Sequence, residues 1–194
     1  MPLREGGYDN NNRNFLTAGK PSGLFRTTIR REDAVADLAA LTTQVMTSVA
    51  IHLEVGEVVS KIAFCSGGTA AGTPTNYWFA LYDNSATPAL LAQTADQTTT
   101  AWAADTVKDL ALATSQFIAK TGVYYAAIMV KATTVPTLMG ALQGGNASRV
   151  GLAGAFVSGA SALAQTSGSS LTATAPATIA SPTAVATVPF CLVH

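Results

Sequence analysis

The residues with the widest chemical repertoire are few in this chain. There are two histidines, His52 and His194. A Ser–His–Asp relay needs one of them beside an activated serine. Neither adjoins a nucleophile elbow, and no GxSxG occurs. His52 lies between Ile51 and Leu53 and reads as an ordinary histidine on the wet side of a strand. Glu54 with Glu57, and Asp105 with Asp109, are pairings a two-carboxylate glycosidase could in principle draw on. Each falls at a strand end or turn and reads as solvated charge. Asp83-Asn84 lacks a DxDxDG calcium loop. Ser66-Gly67-Gly68 and Gly144-Gly145 lack the GK[ST] that completes a phosphate loop. Asn146-Ala147-Ser148 matches a glycosylation sequon, a pattern short enough to arise by chance. Cys65 and Cys191 show neither CxxC spacing nor a His cluster that would hold zinc. They are either two small buried hydrophobes or a disulfide pair, and spacing leaves both open. The expectation is a chain that is not an enzyme and uses no metal and no cofactor.

Two tryptophans offer binding chemistry instead. Exposed Trp rings stack on sugars and anchor interfaces. Trp78 and Trp102 therefore read as core residues, as subunit contacts or as a sugar platform. Residues 1–31 form a second candidate. They carry Arg4, Arg13, Lys20, Arg26, Arg30 and Arg31 against Glu5 and Asp9, an excess of four positive charges. Glycine, proline and an asparagine run disfavour regular structure there. Tyr8, Phe15, Leu16, Leu24 and Phe25 punctuate the basic residues, more large apolar side chains than a purely solvating tail carries. The expectation is an extended N-terminal arm, 1–44 with a short helix over 31–44, that orders on an acidic partner. Arg4, Tyr8, Arg13, Phe15, Phe25, Arg26, Arg30 and Arg31 would be its contacts. Four charges over this length are too thin a footprint for nucleic acid.

Composition points the same way. Asp, Glu, Lys and Arg make up 11% of the chain, against about 25% in ordinary domains. The formal net charge is zero. Little repulsion opposes association with further copies, so a homo-oligomer or larger assembly is expected. No apolar h-region opens the sequence, so no secretory signal is read. The Ala/Gly-rich run at 150–164 is shorter than the roughly 18–20 apolar residues of a membrane span. Synthesis in a cytoplasm and no membrane partner are expected.

The elements that would position these residues are short strands. Brief apolar runs alternate with Gly, Pro, Thr, Ser, Asn and Asp clusters, the rhythm of an all-β fold. The expectation for 45–194 is an antiparallel, jelly-roll-like β-sandwich. Val49, Ile51, Leu53 and Val55 alternate with polar neighbours. Val58, Ser60, Ile62 and Phe64 form the inward row of the next run, which pairs with the first as a hairpin or lies on a facing sheet. Residues 66–76 read as a loop. NYWFALYD at 76–83 is apolar on both faces, the mark of a central strand or of one facing another subunit. VYYAAIMVK at 123–131 looks central too, with Tyr124, Ala126, Ile128 and Val130 on one side. From 132 onward the only Asp, Glu, Lys or Arg is Arg149. Residues 140–187 read as long Ala/Ser/Thr/Gly-rich loops and weak strands. A final strand follows with Val188, Phe190 and Leu192 on one face, and Pro189 places it at an edge or bulge.

Two runs then carry a resemblance. The first is SGGTAAGTPTNYWFALYDNSATPALLAQTADQTTTAWAADT, and the second is GVYYAAIMVKATTVPTLMG. They resemble a β-sandwich module of tailed-bacteriophage virion proteins, whose runs read SGTTA…TNxWxALYD…LLAQSxD…AWAANT and GxYYxGxMVxATTxPTLxG. Matching positions include Ser66, Thr69, Asn76, Trp78, Tyr82, Asp83, Gln93, Asp96, Trp102, Thr106, Gly122, Tyr124, Tyr125, Pro136 and Gly140. The likeness spans residues 49–140, about half the chain, and excludes the arm and the last third. It implies a virion structural protein. Such modules occur in head decoration or fibre proteins and in minor tail proteins. The first role implies trimers or similar small oligomers of its own copies, docked on the major capsid protein. The second implies tail-protein partners or a host glycan.

Overall fold

A computed structural model describes residues 25–142 and 161–194. Every strand pairing in it is antiparallel. The strands are β1 (Arg26–Thr27), β2 (Ala36–Asp37), β3 (Met46–Leu53), β4 (Val58–Cys65), β5 (Gly72–Tyr82), β6 (Leu90–Gln93) and β7 (Val107–Phe117). β8 (Gly122–Thr134), β9 (Met139–Leu142), β10 (Ala164–Ser167), β11 (Thr183–Ala184), β12 (Thr187–Pro189) and β13 (Cys191–Val193) complete the set. One sheet has the order β1-β13-β4-β7 and another the order β11-β10-β3-β8-β5-β6; a small third sheet runs β12-β9-β2. The fold is the all-β sandwich that the strand rhythm implies.

The alternation in β3 and β8 positions the core. Val49, Ile51 and Leu53 of β3 and Tyr124, Ala126, Ile128 and Val130 of β8 point inward, against Val59, Ile62 and Phe64 of β4. β3 and β4 thus lie on facing sheets rather than in a hairpin. Burying each large side chain contributes about 1.5–3 kcal/mol, so this layer dominates stability. β5 lies between β8 and β6, and residues 77–82 are wholly buried on both faces.

The outer face of β5 is covered by this chain itself, not by another subunit. Met46, Trp78, Ala80, Tyr82, Tyr125 and Met129 form a second apolar layer beneath Leu171, Ala175 and Ile179. Residues 171–179 have little side chain to bury, so polar hooks hold them. Trp78 Nε1 donates to Thr172 O at 2.6 Å, and Tyr82 OH to Pro176 O at 2.8 Å. Gln93 grips from both sides: its Nε2 donates to Ala173 O (3.1 Å) and its Oε1 accepts from Ala175 N (2.7 Å). Gln44 Nε2 donates to Leu171 O, and Leu90 N to Ala177 O. Hydrogen-bonding the main chain lets this Ala/Thr-rich belt stay ordered without a core of its own.

Four expectations need correction. The helix over 31–44 is absent: Arg31–Asp33 makes one 3-10 turn, and the chain extends into β2 beside β9. Only Leu38 of the helix-spaced residues is buried, and its N–H goes to Leu138 O; edge pairing to β9 replaced helical bonding. In β4 the inward residue is Val59 (0% exposed), not Val58 (48%). A bulge at Ser60–Lys61 shifts the parity, and both N–H groups bond the main-chain oxygen of His194, at 2.8 and 2.7 Å. The expected loop at 66–76 ends early, because β5 begins at Gly72. The final strand is broken at Phe190 where the chain passes from the small sheet to the four-stranded one. Its buried residues are therefore Val188, Pro189, Cys191 and Val193 rather than Val188, Phe190 and Leu192. Pro189 does sit on an edge strand, where its missing N–H costs least.

Candidate interaction surface

The carboxylates and cations singled out by sequence mostly satisfy one another. Gly56, at φ +92°, turns the chain between β3 and β4. Glu57 closes that turn by accepting the Glu54 N–H at 2.8 Å. Arg26 then lies between both acids, 3.6 Å from Glu54 and in direct contact with Glu57. This acidic pair is a strand-end clamp. Arg30 pairs with Asp33 at 2.9 Å, and that hydrogen bond and charge, with Glu32 nearby, raise its pKa further. Arg31 is exposed and Phe25 half-buried. Arg4, Tyr8, Arg13 and Phe15 lie outside the described residues. Residues 25–44 run extended along the sandwich, with β1 against β13 and β2 against β9.

Among the described residues, Asp109 meets two basic groups, Lys61 at 3.3 Å and His194 at 3.0 Å. The bonds tie β7, β4 and the residue after β13 on the outer face of the four-stranded sheet. This pair has the His–carboxylate half of a relay. No serine hydroxyl is bonded to the ring among the described residues, so it works as a cross-strand tie. His52 is half-buried beside a groove, and its ring has no hydrogen bond among the described residues. Asp83 folds a turn. Partial burial pushes its carboxyl up, but donors from Ser85 Oγ, Ala89 N and Ser85 N outweigh that and hold it below the usual range. Among the described residues no cluster of three His, Cys, Asp or Glu is placed to hold a metal.

The glycines of Ser66-Gly67-Gly68 have a structural cause. A Cβ on Gly67 would collide with the Asp37 carboxylate, which accepts the Gly68 N–H at 3.0 Å. The loop docks β2 on the sandwich. Cys65 and Cys191 are free thiols. Cys191 is opposite Phe64, so its neighbour Cys65 points to the other face of β4. Burial raises both thiols, Cys191 well above its usual value.

Trp78 and Trp102 are not interaction residues on the surface. They are 0% and 1% exposed. Trp102 stacks on Tyr77 with centroids 5.7 Å apart and meets Phe79 edge-on. Their bulk made interior filling worth more than display. The surface apolar side chains are elsewhere. Val58 and Phe117 are directly opposed across β4 and β7, with Val55 on the adjoining turn. All three are exposed, next to the acids that hold Arg26.

Two grooves open on the six-stranded side. One of about 430 Å³ runs between β1 and β3, with Thr27, Arg30, Asp33 and His52 on its walls. The other, of about 570 Å³, lies between the turn at 83–88, β10 and residues 179–182. In the first, Arg30 and Asp33 pair with each other at 2.9 Å; the described lining of the second has no Asp, Glu, Lys, Arg or His. Sequence reading missed both, because their walls come from segments far apart in the chain. No protein-family model matches this chain, and a search of curated proteins returns no match.

Proposed function

We propose that this chain is a non-enzymatic structural protein of a tailed-phage virion, a decoration protein bound to the outside of the capsid. The observation that carries the reading is the likeness of residues 49–140 to the virion sandwich module. The matching positions are those with structural work to do. Trp78, Tyr82 and Gln93 hook the belt, Trp102 stacks in the core, and Gly140 passes β12 at a distance that excludes a side chain. Low charge supports a life among other proteins. The described chain opens at Phe25 and Arg26, with Arg26 held by Glu54 and Glu57 next to the exposed Val55, Val58 and Phe117; the N-terminal arm and this apolar end are the contacts offered to the capsid lattice. The sandwich associates with its own copies in small oligomers, trimers in the simplest case.

The test is copy number in purified particles. A number commensurate with the capsid lattice supports the reading. A few copies per particle refutes head decoration and favours the competing role of a minor tail protein or tail-tip adhesin. Deleting residues 1–24, which leaves β1 intact, should abolish particle binding; undiminished occupancy would remove the tethering role.

A further inference from the structure

We propose that the cleft between the 83–88 turn, β10 and residues 179–182 binds a neutral saccharide. Its volume of about 570 Å³ falls within the roughly 300–1,000 Å³ of small-ligand clefts. Among the described residues that line it, none is Asp, Glu, Lys, Arg or His. A charged ligand would lose water there and gain no counter-charge, which excludes phosphates, sulfated or sialylated glycans and nucleic acid.

Its polar side chains include two carboxamides, beside the hydroxyls of Ser85, Thr87, Ser161 and Ser181. Gln165 on β10 is 6% exposed. Its main-chain oxygen faces Ser48 Oγ at 3.5 Å, but its side-chain amide has no hydrogen-bond partner among the described residues. Among the described residues, the fully enclosed side-chain polar atoms without a partner are the hydroxyls of Thr27, Tyr77 and Ser167, whereas the Gln165 carboxamide lines the cleft, where water or a ligand can engage it. Asn84, on the turn opposite, likewise has a side chain with no bond to the described chain, and both line the cleft. Each amide presents one acceptor and two donors. Vicinal hydroxyls of a sugar, which donate and accept alike, match that set. The Tyr125 hydroxyl is engaged with Ala162 O at 3.3 Å, so the residue offers an apolar wall. Val123, Pro88 and Pro182 extend it, a surface suited to the C–H face of a pyranose. A peptide would rather add to an open strand edge, whereas these amides are side chains set in a recess. The proposal is independent of whether the chain resides on the head or the tail.

The test applies the full chain to an array of neutral hexose and N-acetylhexosamine oligosaccharides. Sialylated and sulfated glycans and an uncharged peptide serve as comparators. A retained oligosaccharide is then titrated while the side-chain NH2 resonances of Asn84 and Gln165 are followed. Neutral glycans should be retained in preference to the others, and both resonances should shift. Asn84→Ala and Gln165→Met should each weaken binding about tenfold, the equivalent of one lost hydrogen bond. The melting temperature of Gln165→Met should hold, since no side-chain hydrogen bond of Gln165 to the described residues is lost. Retention of no neutral glycan, preference for the peptide or the charged glycans, or unchanged affinity in the Asn84→Ala variant would overturn the assignment.

Discussion

Replacing Trp78 with Phe tests whether polar hooks hold the belt at 171–179. The indole N–H donates to Thr172 O at 2.6 Å, and the ring is fully buried between β5 and the belt. Phe keeps an aromatic ring but cannot donate. The loss has two parts: an unpaired carbonyl at Thr172, about 1–2 kcal/mol, and unfilled volume, about 1 kcal/mol or more. A total of about 2–3 kcal/mol corresponds to a fall in melting temperature of roughly 5–10 °C for a domain of this size. Tyr82→Phe is the control, because it removes only the hydroxyl that donates to Pro176 O, at about 1 kcal/mol. Amide hydrogen exchange gives the decisive readout. The N–H groups of Leu171, Ala175 and Ile179 and that of Leu90, which bonds Ala177 O, report the belt. Those of β8 report the global fold. In Trp78→Phe the belt amides should exchange faster by a larger factor than the β8 amides. The double variant should cost less than the sum, since both hooks hold one segment. Equal loss of protection in belt and β8, or none in the belt, would refute the reasoning.

Three further outcomes follow from local geometry. Gly140→Ala should destabilise by about 1–3 kcal/mol or more. The new methyl meets the Val188 carbonyl, Leu38 and Pro189, two of them backbone contacts, and denaturant unfolding reads the loss. Val59→Ala should cost about 1.5–3 kcal/mol and Val58→Ala almost nothing, because the bulge turns only Val59 inward; equal effects would contradict the register. Asp83 has a carboxyl held below its ordinary value of 3.8, so its stabilising effect is present above that value and is lost as pH falls through and below it. The gap in melting temperature between the parent and Asp83→Asn should therefore be open near neutral pH and narrow towards about pH 3.

The parts of the fold legible in sequence were the alternation of β3 and the long apolar runs. Val49, Ile51 and Leu53 alternate with Ala50 and His52, so that inward row can be read directly, and β8 is apolar on both faces over 124–130. β5 announces itself by being apolar on both faces. A bulge leaves no such trace: Ser60 and Lys61 look like any alternating pair, and the acceptor that creates the bulge, the His194 oxygen, lies 134 positions away. The helix spacing of Ala34, Leu38 and Leu41 was real but outweighed by pairing with β9. The belt looked like low complexity because its order comes from partners on other strands, such as Gln93 and Trp78. The tryptophans were visible as important residues, yet type alone does not distinguish a buried hook from a displayed ring. Asn84 and Gln165 had no signal at all, because their convergence depends on the crossing of distant loops.

The position of β13 bears on how the chain is made. It fills the slot between β1 and β4, and Cys191 N bonds Thr28 Oγ1 across 163 positions. A ribosome delivers both flanking strands long before the piece that joins them. Until then β1 has no partner and one margin of β4 is bare, an invitation to mispair with other nascent chains. Closure of this sheet must be among the last events of folding and is expected to be slow, as non-local pairings are. Shortening the chain from residue 187 onward would leave that gap permanently open, so such variants should accumulate as aggregates even though β3, β5 and β8 are intact.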